Sequence, residues 1–209
     1  RRMITVKDAD LEKISSVLDK INAQAQRAGE VIRRLRTFFK KRKSEHVRSD
    51  LNELIRDSVD LNHADTRVLD HPVILELADN LPPVSVDPVQ IQQVVLNLLR
   101  NAIDAMENKP GKPVIISTRQ HDDDFLEIVV ADHGDGIDEQ TALSLFNPFF
   151  STKKSGMGMG LPISQSIVNS HGGQLWYQPS ELGSAFHFVL PVAAPQQQTT
   201  HSQENLNEQ

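Results

Sequence analysis

The sequence predicts an α+β fold in which a mixed, mostly antiparallel sheet is layered with helices and preceded by a long heptad helix. Segments with strand periodicity alternate with segments of helical periodicity. Neighbouring strands, such as those predicted at 112–120 and 125–130, are joined by turns too short for a parallel crossover. This pattern favours an antiparallel or mixed sheet over a doubly wound parallel one.

The leading helix is predicted from a regular apolar repeat. Apolar residues recur at alternating spacings of three and four from Leu11 to Phe39, with charged and amide residues between them. A helix of this length spans about 45 Å and has little core of its own. We expect it to pack on another helix, either in a different segment or in a second copy of the molecule. An ordinary amphipathic helix lying on its own domain is the alternative.

The remaining elements follow from capping and breaking signals. Ser49 or Asp50 can cap one helix, and Asp87 followed by Pro88 begins another that runs to about Met106. Residues 194–209 are polar and are expected to be disordered. The other predicted elements are strands at 71–77, 112–120, 125–130, 174–178 and 185–190, and a helix at 161–170.

Composition narrows the classes of function. The chain of 209 residues has no cysteine and a net charge of −6, which argues against a disulfide framework, a thiolate site and nucleic acid as a partner. No apolar run approaches the roughly 18 residues needed to cross a membrane. We therefore expect no membrane contact by this chain and a cytoplasmic location, while a membrane-anchored parent protein stays open.

Two asparagines within the helix that begins at Pro88 are the first candidate site. Asn97 and Asn101 are four residues apart and therefore share one face of the helix. An amide oxygen is a hard ligand suited to Mg²⁺, and the amide nitrogen can donate to a phosphate. The alternative is a pair of solvated asparagines.

An acidic turn follows a predicted strand and is the second candidate. Asp132 stands at the strand end and can accept a hydrogen bond from an amine such as adenine N6, while Gly134 and Gly136, followed by Ile137, allow a close backbone approach. A simple Asp/Gly turn is the alternative reading.

A loop rich in phenylalanine and glycine is the third candidate. Phe146, Phe149 and Phe150 can anchor a mobile lid from which Lys153 reaches a terminal phosphate, or they can form a small cluster under a loop. Alternating glycines before a helix offer bare N–H groups to an anion. That loop comprises Gly156, Gly158, Met159, Gly160 and Leu161, and Ser184 farther along offers a hydroxyl or a turn.

These motifs, in this order over about residues 87–190, resemble the Bergerat ATP-binding fold of the GHKL superfamily, an α/β sandwich. Within that superfamily they are most similar to sensor histidine kinases of the FixL-like group. Residues 24–39 resemble the second helix of the dimerisation and phosphotransfer hairpin.

The resemblance implies a kinase module that transfers the ATP γ-phosphate to a histidine, for relay to a response-regulator aspartate. It implies ATP and Mg²⁺ as ligands, with a second copy of the kinase and a receiver domain as partners. Asn101 would coordinate Mg²⁺ with Asn97 assisting at the phosphates, and Asp132 would bind adenine. Lys153 would approach the γ-phosphate. The nucleotide would further contact Asp104, Gly134, Gly136, Ile137, Gly156, Gly158, Met159, Gly160, Leu161 and Ser184.

The sequence departs from the family in two respects. No histidine has the context of the phosphoacceptor, so we expect the chain to bind ATP without autophosphorylating. Asp104 stands where many related kinases have a phosphate-binding lysine. The resulting organisation is a partial dimerisation and phosphotransfer segment at 1–48, a catalytic ATP-binding domain at 49–193 and a tail at 194–209.

Two other functions stay open on the sequence alone. The first is another GHKL ATPase, such as a chaperone- or topoisomerase-type clamp or an anti-sigma serine kinase. The second is a dimerising scaffold with a degenerate nucleotide pocket.

Overall fold

The computed structural model describes residues 45–62, 71–153 and 156–194, together with residues 14, 17–19 and 21–22. The part between residues 45 and 194 contains four helices and seven strands. The helices are α1 (Leu51–Asn62), α2 (Pro88–Ala105), α3 (Glu139–Ala142) and α4 (Gly160–Ser170). The strands are β1 (Val47–Ser49), β2 (Val73–Leu77), β3 (Val84–Val86), β4 (Val114–Gln120), β5 (Phe125–Ala131), β6 (Gln174–Pro179) and β7 (Ser184–Pro191).

Local side-chain caps fix where the longer helices begin. Asp50 Oδ1 accepts from the N–H groups of Asn52 and Glu53 at 2.7 and 3.2 Å, so Asp50 is the cap of α1. Asp87 caps α2 in the same way, accepting from Val89 N at 3.1 Å and Gln90 N at 3.3 Å. Pro88 follows at the first helical position, where a missing N–H does no harm.

The main sheet has five strands in the order β2-β4-β5-β7-β6. Strands β2 and β4 run parallel, with Val73 opposite Val114, and the other neighbouring pairs are antiparallel. Strands β1 and β3 form a separate antiparallel pair, which a bridge between Val84 and Val192 attaches to the end of β7. The predicted mixed, mostly antiparallel sheet is therefore confirmed.

Helices α1, α2 and α4 pack side by side, and α2 and α4 lie against the sheet. Helix α2 supplies most of the helical core, because one of its faces is apolar along its whole length. Burying each such side chain stabilises the fold by about 1.5–3 kcal/mol. The fully or nearly fully buried residues of α2 are Ile91, Val94, Val95, Leu98, Leu99, Ala102 and Ile103.

The buried His171 links helix α4 to the beginning of helix α2. His171 follows α4, and its Nε2 accepts from the N–H of Asp87, the cap of α2, at 3.0 Å. Its Nδ1 lies 2.8 Å from the carbonyl of Ile167, so the ring carries its proton on Nδ1. Burial lowers the pKa of His171, because the charged ring would lose its hydration.

The structure confirms most of the predicted elements. β1 begins at Val47 and pairs with β3, so the strand starts two residues before the predicted boundary at 49. Strands β1 and β3 and helix α3 were not predicted, because elements of three or four residues carry no readable periodicity. Most of the predicted leading helix lies outside the described residues, and the part that is described, residues 14, 17–19 and 21–22, is helical. The tail from 195 lies outside the described residues. No helix in the described ranges is both long and apolar enough to cross a membrane.

We expect His171 to make the stability of the fold depend on pH. Its folded pKa is lower than its unfolded value near 6.5, so stability is full above that value and falls as acid protonates the ring. The free energy of unfolding should fall by up to about 1.4 kcal/mol per pH unit below 6.5. In His171→Gln, which keeps an acceptor for Asp87 N–H, this component of the pH dependence should disappear. Urea unfolding of both proteins at several pH values measures it, and identical slopes would contradict the assignment.

Candidate functional site

One cavity of about 1140 Å³ lies between α2, α4, the end of β5 and the loop that precedes α4. Its walls carry both polar and apolar side chains, the composition expected of a ligand site. The predicted site residues that line it are Asn97, Asn101, Asp104, Asp132, Gly136, Ile137, Lys153, Gly156, Gly158, Met159, Gly160, Leu161 and Ser184.

The polar face of α2 forms one wall of this cavity. Asn97, Asn101 and Asp104 stand at helical spacings of four and three, so they share the face opposite the buried stripe. Nδ2 of Asn97 donates to the hydroxyl of Ser164 in α4 at 3.0 Å. Asn97 thus joins the two helices across the floor of the cavity, and the sequence-based prediction gave it no such structural contact.

Gly160 allows the close approach of α4 to this wall. A Cβ atom at Gly160 would overlap the side-chain amide of Asn97, because the first turn of α4 lies directly against it. Glycine at this position therefore has a packing reason that is independent of any ligand.

Asp132 is buried at the end of β5, where its side chain is held by backbone N–H groups. Oδ1 accepts from Gly134 N at 2.8 Å and from Ser184 N at 3.1 Å. Burial raises the pKa of Asp132, and these two hydrogen bonds oppose that shift only in part. Among the described residues, both hydrogen bonds to the Asp132 carboxylate are made to Oδ1. Its Oδ2 can therefore accept a hydrogen bond from a ligand.

Two predicted residues serve Asp132 itself. Gly134 is not part of the cavity lining, and it contributes through its N–H. Ser184 lines the cavity, and its recorded bond to Asp132 is made by its backbone N–H. A side chain at Gly183, next to Ser184, would collide with the backbone of Asp132 and Gly134, so this turn packs tightly behind the carboxylate.

The loop between α3 and α4 closes the other side of the cavity. It is pinned near its end, where Phe149 N donates to the carbonyl of Gly158 at 3.0 Å. Gly158 has φ +63°, and any side chain there would meet the backbone of Phe149 and Phe150. Phe150 lines the cavity, while Phe149 is largely exposed. Phe146 is partly buried against the core, so it anchors this loop, and the backbone bond from Phe149 to Gly158 is a second attachment.

Lys153 crosses from this loop to α2. Its Nζ lies 2.8 Å from Asp104 Oδ2 and 3.5 Å from Asn101 Oδ1. An ammonium group therefore occupies the space beside two hard oxygen donors, the type of donor that Mg²⁺ takes. The residues present fit a divalent cation at this end of the cavity.

Several lining residues were not predicted, although the sequence contained signals for some of them. Gln93 and Arg100 follow the same helical spacing as Asn97 and Asn101, so extending the polar face of α2 would have found them. Ser164 stands one turn after Gly160 in α4. Leu145 and Phe186 carried no signal, because only the tertiary fold brings them to the wall.

Comparison with known proteins agrees with this geometry. Residues 86–194 match the family described as histidine kinase-, DNA gyrase B- and HSP90-like ATPase. The chain is 39% identical over 187 residues to the sensor protein FixL of Bradyrhizobium diazoefficiens, covering 89% of this chain and 37% of that protein. It is 38% identical over 189 residues to the C4-dicarboxylate transport sensor protein DctS of Rhodobacter capsulatus, covering 88% of this chain and 28% of that protein. It therefore spans about a third of the length of these relatives.

Solved structures give the same result for the fold. The catalytic domain of histidine kinase ThkA aligns with a TM-score of 0.63 and 32% identity, over 70% of this chain and 95% of that domain. ThkA in complex with the response regulator TrrA aligns with a TM-score of 0.66 and 25% identity, over 91% of this chain and 53% of that one.

The chain belongs to the histidine kinase-, DNA gyrase B- and HSP90-like ATPase family. Within that family it is the ATPase module of a sensor histidine kinase, as its relatives and its fold agree. Both the recognised family and the predicted fold class are thereby confirmed.

We expect Gly160→Ala to separate α2 from α4 and to weaken nucleotide binding. The added Cβ overlaps Asn97, and overpacking of this kind costs about 1–3 kcal/mol. Thermal unfolding and titration with a fluorescent ATP analogue measure both effects.

Gly111→Ala is the matched control, because Gly111 has φ +79° but open space around it. It should lower stability by about 1–2 kcal/mol through backbone strain and leave nucleotide affinity unchanged. Equal nucleotide affinities in the two variants would contradict the packing role of Gly160.

Proposed function

We propose that this module binds MgATP in the cavity described above and transfers the γ-phosphoryl group to a histidine that lies outside this chain. The observation that carries the proposal is that a buried carboxylate, Asp132, and the amide of Asn101 with the Lys153 ammonium beside it line one cavity. Sensor histidine kinases relay such a phosphoryl group to an aspartate of a response regulator, and the same relay is proposed here. ATP supply points to a cytoplasmic location.

Asp132 is proposed to bind the adenine ring. Its Oδ2 can accept from the exocyclic N6 amine, while the N–H groups of Gly134 and Ser184 keep Oδ1 in place. Gly136, with φ +77°, and Ile137 next to it bring the backbone against the ligand. The Ile137 carbonyl accepts from the hydroxyl of Tyr177 at 3.3 Å, which braces this edge of the pocket.

The polar face of α2 and the glycine loop are proposed to bind the phosphates. Asn101 would hold Mg²⁺, and the backbone around Gly156, Gly158 and Gly160 would present N–H groups at the start of α4. Mg²⁺ supplies charge neutralisation on the phosphate oxygens when it is bound. Asn97 would assist from the same face while it remains tied to Ser164.

Phosphoryl transfer needs positioning and charge stabilisation more than covalent chemistry by the protein. A ring nitrogen of the acceptor histidine forms a bond to the γ-phosphorus as the bond to the bridging oxygen breaks, and ADP leaves with that oxygen. Lys153 is proposed to stabilise the γ-phosphoryl oxygens during this exchange. Its position at the loop edge of the cavity places its ammonium within reach of the polar face of α2.

The partners follow from the same proposal. A second copy of the kinase would present the helical hairpin, and a receiver domain would accept the phosphoryl group. ThkA, which aligns with this chain, is known in complex with a response regulator. No nucleic-acid partner is proposed, since the chain is acidic.

The alternative functions fit less well. Sensor kinases are the proteins to which the chain is similar over most of its length, which a clamp-type ATPase or a serine kinase does not explain. A degenerate scaffold is disfavoured by the intact pocket, in which Asn101, Asp132 and the three loop glycines all line one cavity.

Substitutions at the two ends of the cavity should have separate effects. Asn101→Ala should weaken MgATP binding by about 10- to 100-fold, the effect of losing one or two charge-assisted contacts. Asp132→Asn should weaken the preference for ATP over GTP, because GTP has an acceptor oxygen where ATP has the N6 amine. Calorimetric titration with each nucleotide measures both.

Asp123→Asn is the control for the second substitution, since Asp123 is an exposed carboxylate in the turn before β5 and does not line the cavity. It should keep the ATP preference. An Asp132→Asn protein with unchanged discrimination would contradict the adenine assignment.

Phosphoryl transfer is tested by supplying the acceptor in trans. With γ-labelled ATP, this chain alone should gain no acid-labile, base-stable phosphate. Added to a separate dimerisation hairpin from a full-length relative that carries its histidine, it should label the hairpin, and Asn101→Ala should abolish the label. Acid-labile phosphate on this chain by itself would overturn the prediction that it lacks the acceptor.

A further inference from the structure

The contact between Lys153 and Asp104 has no role in the proposed phosphoryl transfer. Lys153 Nζ lies 2.8 Å from Asp104 Oδ2, and both side chains are partly exposed, at 39% and 31%. The same ammonium lies 3.5 Å from Asn101 Oδ1. One cation therefore sits between a carboxylate and an amide oxygen that project from consecutive turns of α2.

The carboxylate is unfavourable at this place for a nucleotide alone. Asp104 lines the cavity on the same face as Asn97 and Asn101, where the phosphates are proposed to lie. Two negative groups a few ångströms apart near a protein surface repel each other by about 1–4 kcal/mol. The other charged groups that line the cavity are Arg100, Asp132, Asp135 and Lys153. A cation between Asp104 and the phosphates turns this repulsion into attraction.

Lys153 cannot pair fully with the Asp104 carboxylate and with the γ-phosphate at the same time. Its loop connects it to the cavity edge, and its ammonium is engaged by Asp104 in the structure. A nucleotide that draws Lys153 towards its γ-phosphate leaves the Asp104 carboxylate beside the phosphates without that ammonium. A divalent cation held at Asn101 would replace the lost positive charge, and hard oxygen ligands suit it.

We propose that Asp104 makes nucleotide binding by this module depend on a divalent cation. Together with Asn101 it forms the protein side of the cation site, and the ammonium of Lys153 lies beside both residues. Asp104 acts as a positioning residue, because it interacts with the cation and with Lys153. Its negative charge disfavours the binding of ATP without a metal ion. The inference rests on the proposed MgATP binding.

The test compares affinities for ATP with and without metal. Calorimetry on the wild-type chain should give much weaker binding of ATP in EDTA than in excess Mg²⁺. In Asp104→Asn the ratio of the two dissociation constants should fall by about tenfold, the size of one partly screened charge interaction. ATP in EDTA should bind more tightly, and MgATP more weakly, than in the wild type.

Mn²⁺ gives a second readout that does not depend on activity. Electron paramagnetic resonance of Mn²⁺ titrated with protein and a non-hydrolysable ATP analogue should show weaker Mn²⁺ retention in Asp104→Asn. Asp104→Glu, which keeps the charge, should restore most of the wild-type ratio. Glu107→Gln is the matched control, because Glu107 is an exposed carboxylate three residues farther along that does not line the cavity.

The outcomes separate this inference from the function on which it rests. If the wild type binds MgATP and Asn101→Ala weakens it, but Asp104→Asn leaves the metal dependence unchanged, the inference is wrong and the function stands. An equal change in Glu107→Gln would also overturn it, because net charge alone would then explain the effect. Failure of the wild type to bind MgATP at all would overturn both.

Discussion

The site depends on one constraint, the division of α2 into two faces. The apolar face carries Leu98, Leu99 and Ala102 into the core, and it fixes the rotation of the helix on the sheet. With the helix in that rotation, its polar face lines the cavity. This face carries Asn97, Asn101 and Asp104. The free energy that orients the polar groups therefore comes from hydrophobic burial on the opposite side of the same helix. The asparagines need no strong interactions of their own to hold them in place.

Close backbone packing at two glycines is the second requirement, because it shapes the two ends of the cavity. Glycine at position 160 lets α4 approach Asn97, and glycine at 183 lets the turn before β7 pack behind Asp132. The first contact shapes the end of the cavity at Asn97, where the phosphates are proposed to lie, and the second packs behind the Asp132 carboxylate. A loop pinned by the bond between Phe149 and Gly158 then covers the space between them. Helices and strands supply the other walls of the cavity.

Local sequence signals predicted much of the fold, and most of the residues they singled out for a site line the cavity. Asp87 with Pro88 marked the start of α2, and the glycine series marked the start of α4. Contacts between distant segments could not be predicted in this way. The pairing of β1 with β3, the bond from Asn97 to Ser164, and the ion pair of Lys153 with Asp104 join residues far apart in the chain. Each of these contacts depends on the packed fold, which local periodicity and capping signals do not predict. For this reason the motifs indicated a nucleotide site with Mg²⁺, while the ion pair beside Asn101 could be seen only in the structure.

The central claim is that this cavity binds an adenine nucleotide with its base at Asp132 and its phosphates along α2. A crystal structure of the module with a non-hydrolysable ATP analogue and Mg²⁺ tests it most directly. We expect adenine N6 within hydrogen-bond distance of Asp132 Oδ2, Mg²⁺ on Asn101 Oδ1, and Lys153 turned from Asp104 towards the γ-phosphate. A base bound elsewhere, or phosphates that do not contact the polar face of α2, would contradict it.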